Sequence, residues 1–159
     1  PPMTIPIAVF GLGNPLMTDE GIGILVLQAL EARNDIPAEV ELVDLGTGGL
    51  RILHEAEGRT KLIFVDCAFM GEPAGTIRRF TPDEVRSVKP RMRQSVHESD
   101  LMHNLELARR LGQCPDDVVI FGIEPGKVEP GMQLTPALEE RIEDYMAAVL
   151  AEIGAARDA

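Results

Sequence analysis

The sequence predicts an α/β protein, a three-layer α/β/α sandwich around a twisted, mostly parallel sheet of about five strands with one antiparallel edge strand. Three observations carry this expectation. Short β-branched runs alternate with longer stretches whose apolar residues recur at helical spacing, the pattern of strands joined by crossover helices. The runs at 62–65 and 118–123 are almost wholly apolar, as expected for strands covered on both faces. The run at 76–80 carries two arginines, which an edge position tolerates.

Each element has its own signal. Residues 5–10 form an apolar strand that stops at Gly11-Leu12-Gly13-Asn14-Pro15. Ile22, Leu25, Val26, Ala29 and Leu30 then share one helical face. Residues 40–43 make a second strand, ended by Asp44-Leu45-Gly46-Thr47-Gly48-Gly49, and a short helix covers 50–56. The third strand, 62–65, leads through the turn Gly71-Glu72-Pro73-Ala74-Gly75 to the edge strand at 76–80. Ser95-Val96-His97-Glu98 reads as a capping box opening a helix whose stripe is Leu101, Leu105 and Ala108, up to Gly112. After the strand at 118–123, Thr135-Pro136 starts a helix, with proline at its first position. Its face, Leu138, Ile142, Tyr145, Met146, Val149, Leu150 and Ile153, runs to Gly154, and residues 155–159 are expected to fray. One domain over 1–159 is expected, with an ordered core over 4–154.

Composition narrows the function. The chain is 45% hydrophobic and 26% charged, too apolar for a solvated coil. The net charge of −11 repels phosphate backbones, so no nucleic-acid partner is expected. No apolar run approaches the roughly 18 residues that span a bilayer, so no membrane partner is expected. Pro1-Pro2-Met3-Thr4 has neither a basic n-region nor an apolar h-region, and Met3 reads as the natural start. Cys67 and Cys114 lack metal-knuckle spacing and read as reduced thiols of a cytoplasmic protein. Nothing in the sequence demands more than a monomer.

Parallel sheets place ligands outside the carboxyl ends of their strands. Glu20, Asp66 and His97 all fall at element boundaries on that edge. Two carboxylates and an imidazole suit a divalent first-row metal and leave positions open for water or substrate. The alternatives are structural: Thr18 or Asp19 caps the first helix, Asp66 accepts amides at a strand end, and His97 is an exposed first-turn residue. Gly11 and Gly13 invite a dinucleotide reading with Asp44 at the ribose, but position 16 is Leu where the third glycine belongs, and Pro15 removes an amide. The Asp44–Gly49 loop is either a plain connection or, through Gly46, Thr47 and Gly48, a grip on an extended peptide or an anion. A Cys67/His97 nucleophile pair is disfavoured, because no nearby cation in sequence lowers the thiol pKa.

The stretch Gly11-Leu12-Gly13-Asn14-Pro15-Leu16-Met17-Thr18-Asp19-Glu20-Gly21-Ile22-Gly23 resembles the opening motif of the nickel–iron hydrogenase maturation endopeptidases. The likeness continues through Asp44–Gly49, Phe64-Val65-Asp66-Cys67-Ala68, Ser95-Val96-His97, Gly122-Ile123-Glu124-Pro125 and Leu134-Thr135-Pro136, in order along nearly the whole chain. The resemblance implies cleavage of a C-terminal extension from a hydrogenase large-subunit precursor after nickel insertion. It implies that Glu20, Asp66 and His97 bind the metal, that the nickel is contributed by the substrate precursor, and that another divalent metal can occupy the site in isolated protein. Whether Asp19 or Glu20 reaches the metal stays open. Asp44 is a candidate acid–base or positioning group. Gly11-Leu12-Gly13-Asn14-Pro15 is also similar to the start of bacterial peptidyl-tRNA hydrolases, but Asp19-Glu20-Gly21 stands where that family carries Arg-His-Asn. A non-catalytic metal or nucleotide sensor is the third alternative.

Overall fold

The computed structural model describes residues 4–88 and 98–158. The Ser95-Val96-His97 part of the expected capping box, and with it the metal candidate His97, lies outside the described residues.

Among the described residues five strands form one sheet: β1 (Ile7–Leu12), β2 (Val40–Gly46), β3 (Lys61–Cys67), β4 (Ile77–Phe80) and β5 (Asp117–Ile123). Their order is β2-β1-β3-β5-β4. The β1/β2, β1/β3 and β3/β5 pairs are parallel and β4/β5 is antiparallel, as expected. Strand polarity therefore gathers Leu12, Gly46, Cys67 and Ile123 at one carboxyl edge. The chain leaves β1 for one neighbour and returns to pair β3 on the other side, so the switch in strand order falls between β1 and β3. In open α/β sheets that gap is where ligands bind.

Period-two alternation sorts the strand residues into two cores. Ile7, Val9, Ile63, Val65, Cys67, Val119, Phe121 and Ile123 pack with Ile22, Val26, Leu27 and Leu30 of α1 (Ile22–Glu31), Leu138 of α5 (Pro136–Glu139), and Tyr145, Val149 and Ile153 of α6 (Ile142–Arg157). Ala8, Phe10, Leu62, Phe64, Val118 and Ile120 pack with Ile52 of α2 (Arg51–Glu55), Val85 of α3 (Pro82–Val88), and Leu101 and Leu105 of α4 (Glu98–Arg110). Phe10 and Phe64 stack with ring centroids 4.9 Å apart. Each fully buried large apolar side chain contributes about 2 kcal/mol of transfer free energy, so both layers hold the sheet.

Several boundaries differ from the sequence expectation. β1 does not stop at Gly11; it runs to Leu12, with an irregular register against β2 between the two. β2 extends past Val43, and Asp44 pairs with Gly11 inside the ladder. The last helix is interrupted after Glu139 and resumes at Ile142. It also continues through Gly154 to Arg157 instead of fraying, helped by an Arg157 Nε–Glu39 Oε2 ion pair at 2.6 Å. α3 opens with a capping box absent from the expectations: the Thr81 and Glu84 side chains exchange hydrogen bonds with each other's backbone N–H, both at 3.3 Å.

Candidate functional site at the carboxyl edge

The segment after β1 folds as a 3-10 turn, Thr18–Gly21, before α1 begins. Glycines allow this turn to sit directly on the sheet edge. A Cβ at Gly13 would overlap the Glu20 carbonyl oxygen, and one at Gly23 would overlap the carbonyl oxygens of Val65 and Leu12. Gly13 also has φ +134°, a conformation L side chains rarely adopt. The glycine signature that invites a dinucleotide reading is thus a close-packing device. It brings the 3-10 turn against the ends of β1 and β3.

Asp19 is fully buried. Its Oδ2 accepts hydrogen bonds from the backbone N–H of Gly126 (2.7 Å) and Lys127 (3.0 Å) and from the Thr135 hydroxyl (2.7 Å). Its Oδ1 accepts the Thr135 N–H at 2.8 Å. Burial alone would raise the Asp19 pKa, but the Thr135 hydroxyl and the Thr135, Lys127 and Gly126 amides outweigh it and hold the pKa below the usual carboxylate value. Both oxygens are engaged in the protein frame. The neighbouring Glu20 is half-buried.

Asp66 is buried on β3, on the strand face of Phe64, and its Oδ1 accepts the N–H of Cys67 at 2.8 Å. Glu124, also buried, follows β5; its Oε1 accepts the N–H groups of Met70 (2.7 Å) and Glu72 (3.0 Å) and so shapes the loop after β3. Burial pushes the Cys67 thiol well above its ordinary pKa, and the charges of Asp66, Glu20, Asp19 and Glu124 push it further. A thiol so placed stays protonated and is no nucleophile.

The structure therefore brings Glu20 and Asp66 to the same end of the sheet, flanking the β1/β3 switch. Among the described residues no group of three or more His, Cys, Asp and Glu side chains is arranged to hold a metal, and His97 falls outside them. Asp44 is exposed at the end of β2; its Oδ1 accepts the Gly46 N–H at 2.8 Å and its carbonyl accepts Arg51 Nη1 at 3.0 Å. The Gly48 N–H goes to the Leu45 carbonyl at 3.0 Å. The Gly46 and Gly48 amides are thus spent inside the loop, leaving exposed Thr47 at its tip. The loop is tied to the segment after β1 because the Gly13 N–H donates to the Gly46 carbonyl at 2.9 Å. Sequence reasoning missed the contribution of Gly126, Lys127 and Thr135. The one available signal was Thr135, a helix-capping residue whose hydroxyl here bonds Asp19 and makes no cap to α5.

Fold and site define a class: a parallel α/β protein with acidic side chains collected at its topological switch point. Comparison with known proteins makes this specific. The family model for hydrogenase maturation proteases (HycI) matches residues 24–152. The chain is 35% identical over 148 residues to the hydrogenase 2 maturation protease of Escherichia coli K12, covering 92% of this chain and 90% of that one. It is 32% identical over 139 residues to the hydrogenase expression/formation protein HoxM of Cupriavidus necator, covering 87% and 69%. The solved structure of the hydrogenase maturating endopeptidase HybD from E. coli superposes with a TM-score of 0.86 at 34% identity, covering 95% and 93%. HybD from Thermococcus kodakarensis shares the fold, with a TM-score of 0.76 at 20% identity over 92% and 97%. The chain belongs to the hydrogenase maturation proteases, and is a hydrolase of peptide bonds. That membership replaces the peptidyl-tRNA hydrolase alternative.

Proposed function

We propose that this protease removes the C-terminal extension of a nickel–iron hydrogenase large-subunit precursor once nickel has been inserted. Glu20, Asp66 and His97 meet the nickel that the substrate brings. The reading is supported by one observation above the others: Glu20 and Asp66, distant in sequence, end on either side of the same strand switch, beside the Asp44–Gly49 loop. Carboxylates and an imidazole are hard and borderline donors that a divalent first-row ion accepts. Engaging the substrate's nickel docks the scissile bond at this edge, so a precursor without nickel is not cut. Nickel held there polarises a nearby carbonyl. Water adds to the scissile carbonyl, the C–N bond breaks, and the new amine takes up a proton. Asp44 is the carboxylate available to accept the proton of the attacking water, and Thr47 with its flanking glycines lies where an extended tail would pass.

The test is intact mass measurement of nickel-loaded precursor before and after incubation. The expected result is loss of one discrete C-terminal peptide by the wild-type chain. Glu20→Gln, Asp66→Asn and His97→Ala each lower the rate by 100-fold or more, and nickel-free precursor is left intact. Normal trimming by His97→Ala, or equal trimming of nickel-free precursor, would overturn the nickel reading.

A further inference from the structure

We infer that Asp19 is a positioning residue for Glu20: its buried carboxylate clamps the loop after β5 onto the 3-10 turn, and that clamp holds Glu20 in the geometry that recognises nickel. The inference rests on the function proposed above and names a further residue of the same site.

Three independent observations carry it. First, the four hydrogen bonds that the Asp19 carboxylate accepts all come from groups more than 100 positions away in sequence, at Gly126, Lys127 and Thr135. A residue serving only its own turn would bond locally. Second, Thr18 has φ +49°, a left-handed conformation that is unfavourable for a β-branched residue. It is held there from the same loop. The Thr18 N–H donates to the Gly131 carbonyl (2.8 Å), its hydroxyl lies 2.8 Å from both the Lys127 and Met17 carbonyls, which share its one proton, and the Glu129 N–H donates to that hydroxyl (3.1 Å). Third, Glu20 is fixed from below as well. Its carbonyl rests on Gly13 and its N–H donates to the Met17 carbonyl at 3.2 Å. The backbone carrying Glu20 is thus gripped between the sheet edge and the loop, with Thr18 and the Asp19 carboxylate as the links to the loop.

Gly126 fits the same purpose. A Cβ there would come within 2.9 Å of the Thr135 hydroxyl and 3.3 Å of Asp19 Oδ2, so a side chain would push the clamp apart. The Thr135 hydroxyl serves Asp19 and makes no cap to α5.

Asp19→Asn keeps the shape but turns one acceptor into a donor, so it faces donors it cannot satisfy. The measurement is binding of fluorescently labelled large-subunit precursor, nickel-loaded and nickel-free, together with kcat and KM for trimming. The wild-type chain is expected to prefer loaded precursor at least tenfold, and Glu20→Gln to erase that preference. Asp19→Asn should reduce the preference to within twofold of none and lower kcat, while affinity for nickel-free precursor stays within twofold of wild type. Adding Asp19→Asn to Glu20→Gln should then change the preference no further. Thr135→Val removes a single bond and should cost about threefold in preference; it carries the test should Asp19→Asn fail to fold. A wild-type preference retained by both Asp19→Asn and Thr135→Val would overturn the positioning role alone. So would equal weakening of loaded and nickel-free binding, which marks a merely structural residue. A wild-type chain with no preference would overturn the nickel reading, and this inference with it.

Discussion

At the scale of single residues, adjacent acids on one turn are buried to different degrees. Asp19 and Glu20 are neighbours on one 3-10 turn, yet Asp19 is sealed beneath the loop after β5 while Glu20 stays half-buried. Cys67 is the contrasting case. It ends the strand that carries Asp66, and among the described residues the charges acting on it are those of carboxylates. A thiolate there would be both desolvated and repelled. Cys67→Ala should therefore trim precursor within about twofold of the wild-type rate, and thiol-alkylating reagents should not inhibit the native enzyme. Loss of trimming on alkylation of the folded chain would return Cys67 to the chemistry. The acidic positions on the edge were legible in the sequence, because strand ends and the parallel-sheet rule direct attention there. The partners of Asp19 were not. They lie more than 100 positions further along the chain, with four strands between, and no local pattern announces such a contact.

At the scale of elements, the end of the sheet away from the site is locked by charge. Lys61 opens β3 as a buried residue, with Nζ 2.7 Å from Glu152 Oε2 of α6 and 3.1 Å from Asp117 Oδ1 at the start of β5. Arg79 of β4 pairs with the same Glu152. One carboxylate thus joins three elements. This also refines the reading of the edge strand: its arginines are tolerated because the strand lies at the edge, and Arg79 additionally tethers that strand to α6. Glu152→Ala removes one of the two carboxylates that hold Lys61 and should cost about 2 kcal/mol, read as a shift in the denaturation midpoint at neutral pH. The hydrogen bond from Arg79 and then that from Lys61 outweigh burial and hold the Glu152 pKa below its ordinary value. A depressed carboxylate contributes stability above its unfolded pKa and loses it as pH falls through the folded one. The gap between wild type and Glu152→Gln should therefore be full at neutral pH and close as pH falls below about 4. A gap that stayed constant down to pH 2 would show that the ion pair is not its source.

At the scale of the whole molecule, the layered architecture follows from alternation along the strands, and that is why so much of it was readable. Odd and even positions of β1 and β3 divide between two helix layers, and the near-continuous apolar runs at 62–65 and 118–123 already require cover on both faces. The break between α5 and α6 was hidden because the same apolar face continues on both sides of it. The persistence of α6 through Gly154 was hidden because its end is tied by Arg157 to Glu39, a contact between remote segments. The layer formed by α1, α5 and α6 has a consequence for the molecule as a whole. Its core contains two groups that must stay neutral, Cys67 and Tyr145. Tyr145 is fully buried and donates its hydroxyl to the Gly75 carbonyl at 2.6 Å; burial pushes its pKa up to about 12. A pKa raised on folding means that stability is complete below the unfolded value and is lost as pH rises through the folded value. Stability should hold to about pH 8.5, begin to fall as the unfolded-state thiol ionises, and fall more steeply above about pH 10 as the unfolded-state phenol follows. Cys67→Ala should remove most of the first part of that decline, Cys114 supplying the rest because burial pushes its thiol up as well, and Tyr145→Phe the second, with each variant compared to its own midpoint at pH 7. Tyr145→Phe also loses one hydrogen bond worth about 1 kcal/mol at every pH, so its curve should start lower and then run flatter between pH 10 and 12. Parallel curves for Tyr145→Phe and wild type across that interval would show that the phenol is not what ties this helical layer to alkaline stability.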